Sequence, residues 1–139
     1  DTIYSQANKF ENVIVVPALT GLGAPHWQPN TRGAIFGLTR NTSQADIIKA
    51  TLDSLSLQTL DLIESMEKDA KIKISEMRVD GGMINNDNFL QSLSDVTRIK
   101  IIKPKNIETT SLGAAYLAAL NAGLIKNTDQ IKHHLKKVD

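Results

Sequence analysis

Asp80, Gly81, Gly82, Asn85 and Asn86 stand close together, directly after the short apolar stretch Met77-Arg78-Val79. Their types suit the holding of a nucleotide. Without a Cβ on either glycine, the backbone reaches torsions closed to other residues and leaves room for a flat ring or a phosphate against the main chain. A helix opening just past them points its unpaired N–H groups back toward the same spot, which favours polar or anionic ligand atoms. Asn86 can cap that helix and still face a ligand. The same Gly-Gly step also serves as a plain strand-to-helix connection. Asp80 has an ordinary use at a strand end too: it can accept hydrogen bonds from neighbouring backbone N–H groups instead of acting as a base.

Other chemistries find little support. His26 is alone in a loop and His133 with His134 lie in a lysine-rich tail, so with no cysteine in the chain these histidines read as solvated surface and not as metal ligands. No G-x-S-x-G, G-x-x-x-x-G-K-[ST] or G-x-G-x-x-G occurs, which removes the usual serine elbow and the common phosphate loops. Thr20-Gly21-Leu22-Gly23 looks like a phosphate loop, but neither a lysine nor a helix follows it, so a structural role is expected. Trp27, in the same loop, reads as packed over a core edge.

The elements that must position these residues follow from periodicity and punctuation. Residues 13–16 form a β-branched strand stopped at Pro17, residues 20–30 a Gly/Pro-rich loop, and residues 33–39 a second strand. From Ser43 to about Lys68, Ile48, Leu52, Leu55, Leu62 and Met66, with Ile47 and Ile63 beside them, follow helical spacing, while Lys49, Asp53, Asp61, Glu64 and Glu67 suit a solvated face. Ser43 and Asp46 make a capping-box start. A strand over 77–79 precedes a helix capped by Asn85 or Asn86, whose core face is Phe89, Leu90, Leu93 and Val96. A strand over 99–102 stops at Pro104, and a helix over 112–122 is capped by Thr109, Thr110 or Ser111 and closed by Gly123. A last polar helix opens at Asn127. This alternation predicts an α/β layer structure with a largely parallel sheet, and ligands in such sheets sit at the carboxyl ends of strands, where the Gly-Gly step lies.

With 139 residues, one domain with a real core is expected. Sixteen Lys and Arg against 15 Asp and Glu leave no general attraction to nucleic acid or to an anionic membrane. The absence of cysteine agrees with a reducing, cytoplasmic setting. No apolar run approaches the roughly 20 residues that span a bilayer. The opening at Asp1, without an initiator methionine, reads as an excised piece.

Several blocks resemble the FGGY carbohydrate kinases over roughly residues 13 to 125. Val16-Pro17-Ala18-Leu19-Thr20-Gly21-Leu22-Gly23-Ala24-Pro25-His26-Trp27 is similar to a family segment V-P-A-F-T-G-L-G-A-P-Y-W, with Leu19 and His26 in place of aromatic residues. Arg32-Gly33-Ala34-Ile35-Phe36-Gly37-Leu38-Thr39-Arg40 continues it unchanged. The spacing from Gly33 through Asp46-Ile47 and Ala50-Thr51-Leu52 to the acidic Asp53 fits the wider signature, and Val79-Asp80-Gly81-Gly82 and Thr109 to Ala118 resemble the remaining blocks.

The resemblance implies a ribonuclease-H-like, actin-like ATPase fold, a mixed sheet with flanking helices, of which this chain is most of the second domain. It implies ATP or ADP with Mg2+ as cofactor, and Gly82, Asn86 and Gly81 as nucleotide-binding positions. Phosphoryl transfer from ATP to glycerol is implied for the intact protein, which is expected to be a homo-oligomer. The catalytic base, the acceptor pocket and most of the metal site are expected in an absent first domain, so no catalytic residue is assigned here and the isolated chain is expected to be inactive. A pentulose such as xylulose as acceptor, or a non-enzymatic actin-like interaction module, are the alternatives.

Overall fold

The computed structural model describes residues 3–8, 12–104 and 108–135, with side chains described up to residue 131. The described elements are, in order, β1 (Ile14–Val16), β2 (Ala34–Phe36), α1 (Gln44–Ala70), β3 (Glu76–Arg78), α2 (Asp87–Thr97), β4 (Lys100–Ile102), α3 (Thr109–Asn121) and α4 (Thr128–Leu135). Two 3-10 turns, Tyr4–Gln6 and Gly82–Asn85, complete the set. Each expected element is present near its expected place.

Local chemistry explains the helix ends. Ser43 is extended (φ −95°, ψ 166°) and its hydroxyl oxygen accepts the Asp46 N–H at 3.3 Å, while the Asp46 carboxylate accepts the Ser43 N–H at 2.7 Å and its hydroxyl at 2.6 Å. This reciprocal box satisfies donors that α1 would otherwise leave unpaired. Asp46 also accepts the Asn8 N–H at 2.6 Å, which ties the first residues to the helix. The hydrogen bonds from Ser43 hold the Asp46 carboxyl below the usual carboxylate range. Gly123, with φ of 72°, follows α3 in the left-handed position that glycine takes without a steric cost. The α3 start differs from expectation, because Glu108 occupies the cap position and its side chain accepts no capping bond from the helix N–H groups.

The chain divides into two compact units, Asp1–Met77 with Asn86–Ile101, and Arg78–Asn85 with Ile102–Asp139. In the first, α1 packs on α2, on β1 and on the Tyr4–Gln6 turn. The stripe it buries is only partly the expected one: Ile63 is buried as expected, but the other buried positions are the small Ala45, Ala50, Ser54 and Ser56, whereas Leu62 and Met66 are 43% and 51% exposed. Periodicity registers polarity and not size. Small side chains let neighbouring backbones approach the helix axis, which leaves longer ones at the margin. Leu93 and Ile99 complete the core on the α2 side.

β1 and β2 pair antiparallel, Ile14 with Phe36, Val15 with Ile35 and Val16 with Ala34. β3 and β4 form a second two-stranded sheet. The Lys100 N–H donates to the Ser75 carbonyl and the Val79 N–H to the Ile102 carbonyl, so the register advances along both strands together, as in a parallel pair. Among the described residues there is thus no single, largely parallel sheet. β1, expected to be buried, leaves Ile14 58% exposed beside an exposed Phe36.

Among the described residues of the second unit Ile84 is the buried apolar one, and α3 buries none of its residues. Among the described residues, no helix is long and apolar enough to cross a membrane.

Candidate functional site

The segment after β3 is built as a turn, a 3-10 step and a cap. Gly81 has φ of +89°, a torsion that residues with a Cβ rarely adopt. The Ile84 N–H donates to the Gly81 carbonyl at 3.2 Å, closing the 3-10 turn Gly82–Asn85, and the Ile84 side chain, 2% exposed, anchors it. The helix expected past the glycines, with its cap at Asn85 or Asn86, is present. It starts one short turn later, where the Asn86 Oδ1 accepts the Phe89 N–H at 3.1 Å and opens α2.

Gly82 is different from Gly81. Its φ is not in the left-handed region, and a Cβ placed on it would meet nothing within 4 Å. No packing or torsional demand of the described residues calls for glycine there, so its backbone simply faces open space. Gly81 and Gly82 belong to the second unit and Asn86 to the first, consecutive along the chain. Gly81 and Gly82 present exposed main chain in the second unit, and Asn86 presents a carboxamide at a helix N-terminus in the first.

Asp80 departs from its expected use. Its carboxylate accepts a short hydrogen bond from the Thr109 hydroxyl, the first residue of α3. A side-chain partner 29 positions away takes the place of neighbouring N–H groups, which explains why Thr109 is not free to cap α3.

In the Gly/Pro-rich loop Gly21 has the expected structural role, whereas Gly23 meets no such demand. A Cβ on Gly21, whose φ is +94°, would come within 2.8 Å of the Pro29 backbone, so the loop closes on itself only with glycine there. Trp27 is not packed over a core edge: it is 74% exposed. His26 is not alone, since its Nε2 meets the Asp61 Oδ2 of α1 at 2.8 Å. Both belong to a cleft of about 360 Å³ whose other walls include Leu22, Leu55 and Leu62. Among the described residues, no group of three or more His, Cys, Asp or Glu can hold a metal ion. The side chains of His133 and His134 lie outside the described residues.

Asp53 is the residue whose role the sequence understated. Instead of lining a solvated face, its Oδ1 accepts the Tyr4 hydroxyl at 2.9 Å and the Ser92 hydroxyl at 2.7 Å, and its Oδ2 accepts a short bond from Lys49. Burial alone would raise this carboxyl, but the hydrogen bonds from Lys49, Ser92 and Tyr4 outweigh it and hold the group below the usual carboxylate range. The Tyr4 phenol is pushed up by burial and by Asp53. The Lys49 ammonium lies 5.4 Å from the centre of the Tyr4 ring. Only the pairing of Lys49 with Asp53, four residues apart, was open to detection from spacing.

The profile of the FGGY family of carbohydrate kinases, C-terminal domain, matches residues 2–122. The chain belongs to this family. The glycerol kinase of Pediococcus pentosaceus is 52% identical over 124 residues, 89% of this chain and 25% of that protein. That of Lactobacillus acidophilus is 54% identical over 121 residues, 87% of this chain and 24% of that protein. The chain thus spans about a quarter of the length of these FGGY relatives. The crystal structure of Plasmodium falciparum glycerol kinase with ADP matches with a TM-score of 0.83 and 37% identity, covering 99% of this chain and 28% of that one. A ligand-bound xylulose kinase from Lactobacillus acidophilus, 24% identical with a TM-score of 0.76 over 99% of this chain and 28% of that one, shares the fold. The fold class expected from the resemblance, ribonuclease-H-like and actin-like, is that of these FGGY kinases.

Proposed function

We propose that this chain is most of the second domain of a glycerol kinase and carries its adenosine-side contacts. In the intact protein, a cytoplasmic homo-oligomer, a first domain supplies the acceptor pocket and the base, and the reaction turns ATP and glycerol into ADP and sn-glycerol 3-phosphate. The observation that carries the nucleotide reading is Gly82, a glycine with ordinary torsions whose missing Cβ leaves open space against the main chain. A ligand lying against that backbone gives glycine there a reason that the described residues do not. The acceptor rests on kinship, about half identity to glycerol kinases across the chain.

The residues fit a nucleotide. Gly81 turns the main chain, Gly82 leaves the surface flat, and the Asn86 carboxamide at the mouth of α2 offers a polar contact where helix N–H groups favour electron-rich atoms. ATP would supply the phosphoryl group, and Mg2+, held mainly by residues of the first domain, would supply positive charge against the charge that develops in transfer. What this chain contributes is placement. Holding the adenosine end fixes where the phosphates lie relative to an acceptor, and phosphoryl transfer depends on that alignment. Lacking the opposite wall, the chain alone has no glycerol-dependent turnover. A coupled ADP-release assay on the purified chain that detects such turnover overturns this point.

Two glycine variants test the site. Gly81→Ala forces φ of +89° on a residue with a Cβ and costs about 1–2 kcal/mol of stability. Gly82→Ala leaves stability unchanged and weakens ADP binding about tenfold, since a methyl group intruding on a packed ligand costs about 1–3 kcal/mol. ADP binding by Gly82→Ala equal to that of the parent refutes the assignment. For the acceptor, the full-length protein is compared with glycerol and xylulose, and preference for xylulose refutes the glycerol reading.

A further inference from the structure

The carboxylate of Asp53 is shared by donors from the Tyr4–Gln6 turn, from α1 itself and from α2, all within the first unit. We infer that Asp53 is a positioning residue for the nucleotide site: through Ser92 it sets the roll and register of α2 on α1, and so the aim of Asn86 at the helix mouth. This inference rests on the nucleotide reading of Asn86 given above.

The argument starts from what apolar packing does not specify. Leu93 is 3% exposed and holds α2 against its neighbours, but apolar burial is non-directional and tolerates small rotations and slides. A hydrogen bond does not tolerate them to the same degree, because its strength falls steeply with angle and distance. Ser92 Oγ, on a residue 8% exposed, donates to Asp53 Oδ1 at 2.7 Å and so ties α2 to α1 by a directional bond. Asn86 lies six residues before Ser92, about 9 Å along the helix axis, within one rigid helix. A change of roll at Ser92 is therefore carried to Asn86.

Asp53 in turn is held from its other sides. Tyr4 shares its Oδ1, Lys49 holds Oδ2, and the Lys49 ammonium faces the Tyr4 ring. The side chain is 26% exposed. A carboxylate fixed by three donors is a firmer reference point than one facing water, and its depressed protonation keeps it an acceptor across neutral pH.

The test uses the 139-residue chain, ADP as the probe, and amide shift titration by NMR to read the dissociation constant. Ser92→Ala and Asp53→Ala remove the tie, whereas Asp53→Asn keeps an oxygen acceptor for Ser92 and Tyr4. We expect the two alanine variants to bind ADP about three- to tenfold more weakly, the range of a lost bond to a charged acceptor partly transmitted. Asp53→Asn should bind within about twofold of the parent. Hydrogen exchange at the Phe89 N–H, which Asn86 caps, should rise in both alanine variants without any nucleotide. If Ser92→Ala lowers the unfolding midpoint yet leaves ADP affinity and Phe89 exchange as in the parent, Asp53 is merely structural and the inference is overturned. If the parent itself gives no saturable ADP shifts, the nucleotide reading fails, and unchanged Phe89 exchange in Ser92→Ala separately overturns the positioning of the cap.

Discussion

Replacing Asn86 separates its role as a helix cap from the nucleotide contact proposed for it. The side chain caps α2 through one bond, Oδ1 to the Phe89 N–H at 3.1 Å, from an extended backbone (φ −95°, ψ 98°). Asn86→Ala removes that acceptor and leaves one more unpaired helix donor, a loss of about 1 kcal/mol. In a chain of this size that corresponds to a fall in Tm of about 3–5 °C. Asn86→Ser keeps a good capping oxygen and should stay within about 0.3 kcal/mol of the parent. Serine is shorter and has no amide, however, so it should lose the contact to the nucleotide and weaken ADP binding about fivefold, the worth of one net hydrogen bond. Stability is best followed by urea unfolding with far-UV circular dichroism. Trp27, 74% exposed in the native chain, is a poor reporter. Equal stability of the alanine and serine variants refutes the capping estimate, and ADP binding by Asn86→Ser at the parental level removes Asn86 from the ligand site.

Two further outcomes are expected. Ser56 is fully buried in α1 and its hydroxyl has no hydrogen-bond partner, so Ser56→Ala should stabilise the chain by about 1 kcal/mol; a destabilised variant in urea titration contradicts this. Asp53, Asp46 and Glu67 all have carboxyls lowered by hydrogen bonds in the folded chain. Groups depressed on folding bind protons more tightly when unfolded, so the stability they contribute is present at neutral pH and is lost as pH falls below about 4 toward their folded values. The urea midpoint should therefore drop between about pH 5 and pH 3, and Asp53→Asn should shallow that drop; an acid limb unchanged in this variant refutes the contribution of Asp53.

The segments whose chemistry is local were legible. The Ser43–Asp46 box, the Asn86 cap and the Gly123 terminus each involve residues within four positions of one another, and such bonds form wherever the helix forms. Element order followed from periodicity for the same reason. The Gly81-Gly82 step was legible as a backbone turn because glycine types announce a backbone demand, though only the structure separates Gly81, which needs its torsion, from Gly82, which does not.

What the sequence by itself determined about this protein is its run of elements, its caps and its membership of the FGGY kinases, because all three are written in residue types at short spacing. Only the tertiary structure decided which side chains meet across long separations. Tyr4 reaches Asp53 over 49 positions, Ser92 reaches it over 39, His26 meets Asp61 over 35, and Thr109 meets Asp80 over 29. It also decided that α1 buries alanine and serine where its leucines were expected. These outcomes depend on the roll and depth at which elements pack, and that is set by side-chain volume and the direction of a few hydrogen bonds, which the polar and apolar pattern along a chain does not encode.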